Sequence, residues 1–271
     1  MFENKTIAFV GSGAMAGAMM NGLIGKGVVA PTQIIGADPA QSRLNFLNSE
    51  YGIRTTTNNL EAVGEADIVV LAIKPQLVPL VFPELKGKLG VNTLVVSVMA
   101  GITISTMVEG LETTAVIRSM PNTPAQIGQG SAVWTASPET SREQLAQGQA
   151  ILESFGIAVH QHEERYLDMA TGLSGSGPGF VFLFIEAMID AGVNIGFSRA
   201  VAKQLAEQTI LGSVMYAQQS DKHVAELRNQ VTSPGGTTAE GIFQLEKEGL
   251  RTAVSQAVRA AYQRSIELGK D

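Results

Sequence analysis

Near the carboxyl end of the chain, Val231 to Ile242 read VTSPGGTTAEGI and combine a glycine turn with threonine hydroxyls. Pro234 is expected to end the preceding helix, while Gly235 and Gly236 free the backbone for a tight turn. A helix that begins after such a turn presents unpaired N–H groups and the positive end of its dipole. The segment therefore predicts a binding site for a carboxylate or a phosphate, with the Thr238 hydroxyl beside that anion.

The same residues also fit an ordinary helix start. Thr237 with Glu240 matches the S/T-x-x-E capping box, in which Thr237 is the N-cap residue of the next helix. Because capping boxes are common, this pattern alone does not establish a ligand site. The hypothesis of an anion site gains weight from a second feature at the other end of the chain.

That second feature is a dinucleotide fingerprint. The apolar strand TIAFV (6–10) leads into GSGAMA, in which Gly11, Gly13 and Ala16 have the G-x-G-x-x-A spacing. The first glycine makes the turn, the second lets the backbone approach a pyrophosphate, and the small third residue allows close packing of helix on strand. A predicted helix over 14–26 follows, as this fold requires, so the chain is predicted to bind a dinucleotide.

Composition excludes several classes of protein. The 271 residues contain 19 Lys and Arg against 25 Asp and Glu, a net charge of −6, and no basic run that would suit a nucleic acid. Without cysteine there can be no disulfide, thiolate catalysis or cysteine-bound zinc. Glu186 and Asp190 interrupt the apolar run 180–185 well before the ~20 residues of a membrane span. With no secretory signal evident, a soluble cytoplasmic protein is expected.

Apolar strands alternate with amphipathic helices up to residue 161, which predicts a doubly wound, mostly parallel sheet with helices on both faces. After residue 162 only helical patterns follow. We therefore predict an α/β fold with a Rossmann domain over 1–161 and an all-helical domain over 162–271. The predicted strands are 6–10, 33–37, 67–73, 93–100, 115–120, 131–136 and 157–161, and the predicted late helices are 177–197, 199–219, 221–230, 238–247 and 250–270.

The run Phe180 to Ile185 is apolar on every side of its predicted helix, so something must cover both faces. One hypothesis is a buried central helix of the bundle. The other is a subunit interface, which we favour because so small a helical domain can hardly bury this segment alone. The sequence therefore favours a homodimer formed by the helical domain.

Loops at the carboxyl ends of parallel strands are where this fold binds ligands. Among them, Lys74 could meet a phosphate or remain a solvated lysine, and Asn122 with Thr123 could orient a nicotinamide amide or a substrate. Neither a two-histidine metal motif nor a nucleophile elbow is evident. A nicotinamide enzyme without an acid–base histidine suits an imine, which needs an oriented electrophile, a carboxylate anchor and a hydrogen bond to its nitrogen.

Five motifs together resemble those of the Δ1-pyrroline-5-carboxylate reductases, and the resemblance covers the whole chain. It implies hydride transfer from NADPH, or less often NADH, to the C=N bond of Δ1-pyrroline-5-carboxylate, giving L-proline in the last step of proline biosynthesis. It also implies a helical domain that interlocks with a second subunit, and dimers that often assemble into decamers. The motifs are GSGAMA (11–16), AIKPQ (72–76), MPNTPAQIGQG (120–130), GLSGSGP (172–178) and NQVTSPGGTTAEGI (229–242).

Carried over position by position, the resemblance assigns Thr238 a hydrogen bond to the ring nitrogen, which makes it the predicted catalytic residue and proton relay. The implied substrate contacts are Ser233, Gly235, Gly236, Thr237 and Thr238, with Glu164 and Asp221 as acidic neighbours. The implied cofactor contacts are Gly11, Ser12, Gly13, Ala14, Met15, Ala16, Asn59, Ala72, Ile73, Lys74, Pro75, Ala100 and Gly101, and no metal is expected.

Asp38 is a further predicted cofactor contact, because it ends the second strand near the position that reads the adenosine ribose. A carboxylate there disfavours the 2′-phosphate of NADPH, whereas Ser42 and Arg43 could supply a phosphate site instead. The sequence thus leaves the choice between NADPH and NADH open. Gly179 stands where the family usually has alanine, which we interpret as a packing variation.

Two other functions fit the sequence less well. A β-hydroxyacid dehydrogenase of the same architecture would need a catalytic lysine on the first long helix after the Rossmann domain, and 177–197 contains none. A non-catalytic dinucleotide sensor would have no need for a carboxylate anchor.

Overall fold

The computed structural model describes residues 1–269, which form two compact units. The first contains residues 1–176 and 261–269, and the second is Gly177–Ala260. Residues 162–176 thus pack with the unit that precedes them. The division into functional domains at residues 161 and 162 stays a prediction.

An eight-stranded sheet forms the centre of the first unit. Its strands are β1 (Ile7–Val10), β2 (Ile34–Ala37), β3 (Arg54–Thr56), β4 (Ile68–Leu71), β5 (Leu94–Ser97), β6 (Val116–Met120), β7 (Gly130–Ala136) and β8 (Gly156–His160). They lie in the order β3-β2-β1-β4-β5-β6-β7-β8. All neighbours are parallel except β6 and β7, which are antiparallel. The predicted doubly wound, mostly parallel sheet is therefore confirmed.

Helices cover both faces of this sheet. The helices of the first unit are α1 (Ala14–Gly25), α2 (Gln41–Tyr51), α3 (Asn59–Gly64), α4 (Val78–Leu85), α5 (Ile104–Leu111), α6 (Arg142–Glu153) and α7 (Arg165–Ala170). Alternate residues of β1 enter different cores, since Phe9 packs with α1 and α6 while Val10 packs with α3, α4 and α5. This two-sided burial explains why the central strands are apolar throughout.

The segment GLSGSGP lies within a helical run of 30 residues from Arg165 to Asn194. A π-helical turn at Thr171–Gly175 lies between α7 and α8 (Gly177–Asn194), which has Pro178 in its first turn. The hydroxyls of Thr171 and Ser174 donate to the carbonyls four residues earlier, at 2.8 Å and 3.1 Å. These side-chain bonds offset backbone bonds that the wider turn cannot make.

The second unit is helical, as predicted. It contains α8, α9 (Arg199–Gln218), α10 (Val224–Gln230), α11 (Thr237–Lys247) and the first part of α12 (Leu250–Leu268). The structure describes every residue of α8 and none of them is buried, with Phe182 and Leu183 62% and 67% exposed. The hypothesis of a buried central helix is therefore wrong, because one chain supplies too few apolar side chains to cover α8.

Candidate active site

The glycine fingerprint has the geometry that close backbone approach requires. Gly11 has a φ of +84°, and a side chain there would lie 2.9 Å from the backbone carbonyl of Ala72. Gly13 is the N-cap of α1 and makes no side-chain cap bond, so the first-turn N–H groups of α1 lack a side-chain acceptor. The turn can thus receive a pyrophosphate.

The other loops implied to contact a cofactor follow β4 and β5. Because β1, β4 and β5 are parallel neighbours, Gly11–Ala16, Ala72–Pro75 and Ala100–Gly101 lie at the same edge of the sheet. Lys74 and Ala100 are exposed there. Asn59 begins α3, and its amide donates to Glu84 Oε2 at 3.0 Å. This edge is where an open α/β sheet binds its ligand.

Asp38 is held by the backbone on both carboxylate oxygens. Oδ2 accepts from the Ser12 N–H at 3.0 Å and Oδ1 from the Ala40 N–H at 2.9 Å. Beside it, Arg43 donates to the carbonyls of Ser12 at 2.6 Å and Gly13 at 3.1 Å. Asp38 and Arg43 therefore both shape the fingerprint loop, a role that the sequence pattern did not reveal.

Asn122 follows β6, and its amide is occupied within the protein. Nδ2 donates to the Ser174 carbonyl at 3.0 Å and the Ser131 hydroxyl at 3.1 Å, while Oδ1 accepts from the Ser131 N–H at 2.9 Å. With these bonds, Asn122 ties the π-helical turn to β7. Both amide hydrogens are used, so orientation of a nicotinamide by this side chain is not supported; Thr123, next to it, is exposed.

The two acidic residues assigned to the substrate have different surroundings. Glu164 Oε1 accepts from Arg118 Nη1 at 2.6 Å and from the Ile104 N–H at 2.9 Å. Asp221 is exposed in the loop before α10. The predicted helix start at Asp221 is wrong, because His223 is the N-cap of α10 and its Nδ1 accepts from the Ala225 N–H at 3.1 Å.

The turn before α11 is tight, as predicted. The Gly236 N–H donates to the Ser233 carbonyl at 3.0 Å, and Gly235 has a φ of +68°. This places glycine at the third position of a four-residue turn, where a positive φ suits it. The preceding helix ends at Gln230, however, so Pro234 does not end it.

The predicted capping box is wrong. Extended Gly236 is the N-cap of α11, so Thr237 is already the first helical residue and its hydroxyl does not cap. The first backbone helix bond is made by the Glu240 N–H to the Gly236 carbonyl at 3.2 Å. The N–H groups of the three residues from Thr237 to Ala239 therefore precede it, and the structure shows no side-chain cap for them. An external anion could accept from these groups.

The histidines have structural surroundings. His160 lies against Trp134, with 4.2 Å between ring centroids, and 5.0 Å from the His162 ring. Burial first, and then the neighbouring His162, lower the pKa of His160 below its ordinary value. Within the part of the chain that the structure describes, no three His, Cys, Asp or Glu residues are grouped as a metal site would need.

The Rossmann sheet and its fingerprint define a dinucleotide-dependent oxidoreductase, and residues 6–101 match the family model described as NADP oxidoreductase, coenzyme F420-dependent. Residues 164–268 match the model described as pyrroline-5-carboxylate reductase dimerisation. Pyrroline-5-carboxylate reductases from Synechocystis sp. and Methanosarcina acetivorans are each 42% identical to this chain, covering 97% and 99% of it and 98% and 99% of their own lengths. The chain therefore belongs to the pyrroline-5-carboxylate reductase family.

Solved structures agree. The pyrroline-5-carboxylate reductase from Coxiella burnetii has a TM-score of 0.92 to this chain at 34% identity, covering 98% of both chains. The pyrroline carboxylate reductase from Plasmodium falciparum, solved with NADP bound, has a TM-score of 0.88 at 32% identity, covering 98% of this chain and 99% of its own.

The helical run Arg165–Asn194 is 30 residues long and has a mean hydropathy of 1.4 in its most apolar window. Among the described residues it is the one run long and apolar enough to span a bilayer, by length and composition only. The prediction that Glu186 and Asp190 leave too short an apolar run for a membrane span is therefore wrong, because the run passes the test of length and composition with both acids included. The run lies within the segment that matches the dimerisation domain model, residues 164–268.

Proposed function

We propose that the protein reduces Δ1-pyrroline-5-carboxylate to L-proline, with NADPH as the preferred hydride donor. The observation that supports this most strongly is family membership over nearly the full length of both chains, together with the open turn before α11. When bound, the nicotinamide supplies the hydride, and the substrate carbon accepts it as the C=N bond becomes a single bond.

The residues of the fingerprint fit this cofactor. Gly11 lacks the Cβ that would collide with Ala72, and the α1 N-terminus has no capping side chain that would compete with a pyrophosphate. We assign the cofactor contacts to Gly11–Ala16, Asn59, Ala72–Pro75 and Ala100–Gly101. Asp38 acts mainly through its bonds to the backbone of the loop.

The turn before α11 serves the substrate. The substrate carboxylate accepts from the backbone N–H groups of Thr237, Thr238 and Ala239, aided by the positive end of the α11 dipole. The Ser233 hydroxyl, exposed beside the turn, adds a donor. Thr238, in the first turn of α11, hydrogen-bonds the ring nitrogen and relays the proton that this nitrogen gains as the hydride arrives.

Blocking this turn tests the anion site. Gly236→Val would place a side chain 3.1 Å from the Ser233 carbonyl and against its hydroxyl, displacing the donors. We expect the KM for the imine to rise about tenfold, the loss of roughly one charge-assisted hydrogen bond, with an unchanged Kd for NADPH. Gly241→Ala in α11, where a Cβ meets nothing within 4 Å, is the matched control. An unchanged KM in Gly236→Val would reject the anion site.

Cofactor choice depends on Arg43. Because both Asp38 oxygens already accept backbone N–H groups, its carboxylate is less available to a ribose hydroxyl, and the Arg43 guanidinium lies beside the same loop. Arg43→Gln is expected to lower kcat/KM for NADPH about tenfold and to leave that for NADH nearly unchanged. The exposed Arg142→Gln serves as the charge control. Equal losses with both cofactors would show that Arg43 only shapes the loop.

The helical unit makes the protein a homodimer, and we propose that the dimers assemble further into decamers in the cytoplasm. The match to a dimerisation domain and the exposed faces of α8 support association of copies. With a net charge of −6 and no basic run, a nucleic-acid partner has no electrostatic support.

The proposed function is tested by following oxidation of NADPH and, in parallel, NADH by the purified protein with Δ1-pyrroline-5-carboxylate, with proline identified as the product. Turnover that depends on the imine and favours NADPH is expected. Folded protein that binds NADPH but turns over neither cofactor would reject the substrate assignment.

A further inference from the structure

Arg118 is a charged residue in the core of the first unit. It lies on β6, is 6% exposed, and shares a face of the strand with Val116, whose side chain packs with Met107 and Leu111 of α5. Its Nε is buried and has no hydrogen-bond partner among the described residues. Replacing a buried ion pair by apolar side chains of similar volume often leaves a protein at least as stable. The guanidinium therefore calls for an explanation other than packing.

The partner of Arg118 is the carboxylate of Glu164, just before α7. Glu164 Oε1 accepts from Arg118 Nη1 at 2.6 Å and from the Ile104 N–H at 2.9 Å. Ile104 is the first residue of α5, next to its N-cap Thr103. The carboxylate thus lies at the positive end of the α5 dipole, where negative charge is favoured.

The loop before α5 contains Ala100 and Gly101. At its start, the Val98 N–H donates to the Leu71 carbonyl at 3.1 Å, which extends the pairing of β5 with β4. At its end, the bond from Ile104 to Glu164 fixes the chain. Between these points Gly101 has a φ of +76° and Ala100 is exposed. The Arg118–Glu164 pair therefore fixes one of the two ends of this loop.

We propose that Arg118 and Glu164 are positioning residues for the cofactor: together they hold the Ala100–Gly101 loop in place through Ile104, and Glu164 acts without contacting the substrate. The inference rests on the proposed function, in which this loop contacts the nicotinamide dinucleotide. It assigns Glu164 to the cofactor loop, whereas the family resemblance assigns Glu164 to the substrate site together with Thr238.

The test compares single and double variants of the whole chain. Glu164→Ala and Arg118→Met are each expected to raise the Kd for NADPH about tenfold, measured by nicotinamide fluorescence, with a KM for the imine at saturating NADPH that changes less than about twofold. Glu164→Gln keeps an oxygen acceptor for the Ile104 N–H and should restore most of the affinity. The double variant Arg118→Met/Glu164→Ala should be no worse than either single variant, because both act through one contact.

The matched control is Glu163→Gln, since Glu163 is an exposed neighbour whose one ion pair among the described residues is with Arg165 at the surface. It should leave the Kd for NADPH and the KM for the imine unchanged. A rise in the KM for the imine in Glu164→Ala, with unchanged NADPH binding and a silent Arg118→Met, would overturn the proposal and make Glu164 a substrate contact.

Two further points keep the test decisive. If Arg118→Met alone fails to fold because Glu164 is left unpaired, Arg118→Met/Glu164→Gln removes both charges and gives the same comparison of Kd with KM. Failure of the proposed function is distinguishable, because a wild-type protein without turnover still yields a Kd for NADPH. Equal Kd values for NADPH in the wild type and Glu164→Ala would then reject the positioning role, independently of the proposed function.

Discussion

Thr238→Ala is expected to lower kcat about 100-fold, the scale of losing a positioned proton-transfer group, while the Kd for NADPH stays within about twofold of the wild-type value. The reason is that the Thr238 hydroxyl lies in the first turn of α11 and serves the ring nitrogen of the substrate. As the hydride reaches the carbon, negative charge accumulates on that nitrogen unless a proton arrives. Steady-state kinetics and fluorescence titration with NADPH measure the two quantities separately.

Thr238→Ser is the control, because it keeps the hydroxyl and removes only a methyl group. It should retain most of the turnover, and both variants should unfold at similar temperatures. An equal loss of NADPH binding and of turnover in Thr238→Ala would instead make the residue part of the cofactor site. Full activity in Thr238→Ala would assign the proton to another donor.

Leu183→Glu is expected to abolish association of the chains. Leu183 is 67% exposed in a single chain and lies beside Phe180, Phe184 and the α12 residue Val254 around an apolar groove of about 360 Å³. A carboxylate buried there without a partner costs several kcal/mol, enough to raise a dimer dissociation constant by roughly three orders of magnitude or more. Sedimentation should show the mass of one chain in the variant and at least twice that mass in the wild type.

Val91→Glu is the matched control, because it introduces the same carboxylate at an exposed position outside the proposed interface. Val91 is 96% exposed in the first unit, so the new carboxylate remains in water and the wild-type mass should persist. A Leu183→Glu protein that keeps the wild-type mass would place the subunit interface elsewhere. A wild-type mass of ten chains would support the decamer, and a mass of two would limit the assembly to the dimer.

Much of the fold could be predicted because the burial of a strand or helix determines which of its positions are apolar. The runs that became β1, β2, β4 and β5 are apolar at nearly every position, which only a sheet covered on both faces requires. The strand β3 was missed because its sequence, RTT, lies at the sheet edge and carries no apolar pattern. The antiparallel direction of β7 was also invisible, since alternation of side chains does not depend on strand direction.

The backbone geometry of the candidate site could be predicted where a motif is local, whereas contacts between distant residues could not. The fingerprint at Gly11 and the turn at Gly235 have the expected backbone geometry. By contrast, Arg118 looked like one more residue of a core strand, and its pairing with Glu164, 46 positions away, exists only once the sheet has formed. The π-helical turn was missed for a similar reason, because glycines disfavour a helix locally and Asn122 stabilises it from elsewhere in the chain.

The sparse core of the second unit has a practical consequence. In that unit, which the structure describes in full, the buried apolar side chains are those of Ala202, Ala206 and Leu227. In the proposed homodimer, the folding free energy of this unit includes the free energy of association, and it therefore depends on the concentration of the chain. Dilution would then dissociate the subunits and lower the stability of each chain. A melting temperature or a specific activity of such a protein should therefore be given with the protein concentration.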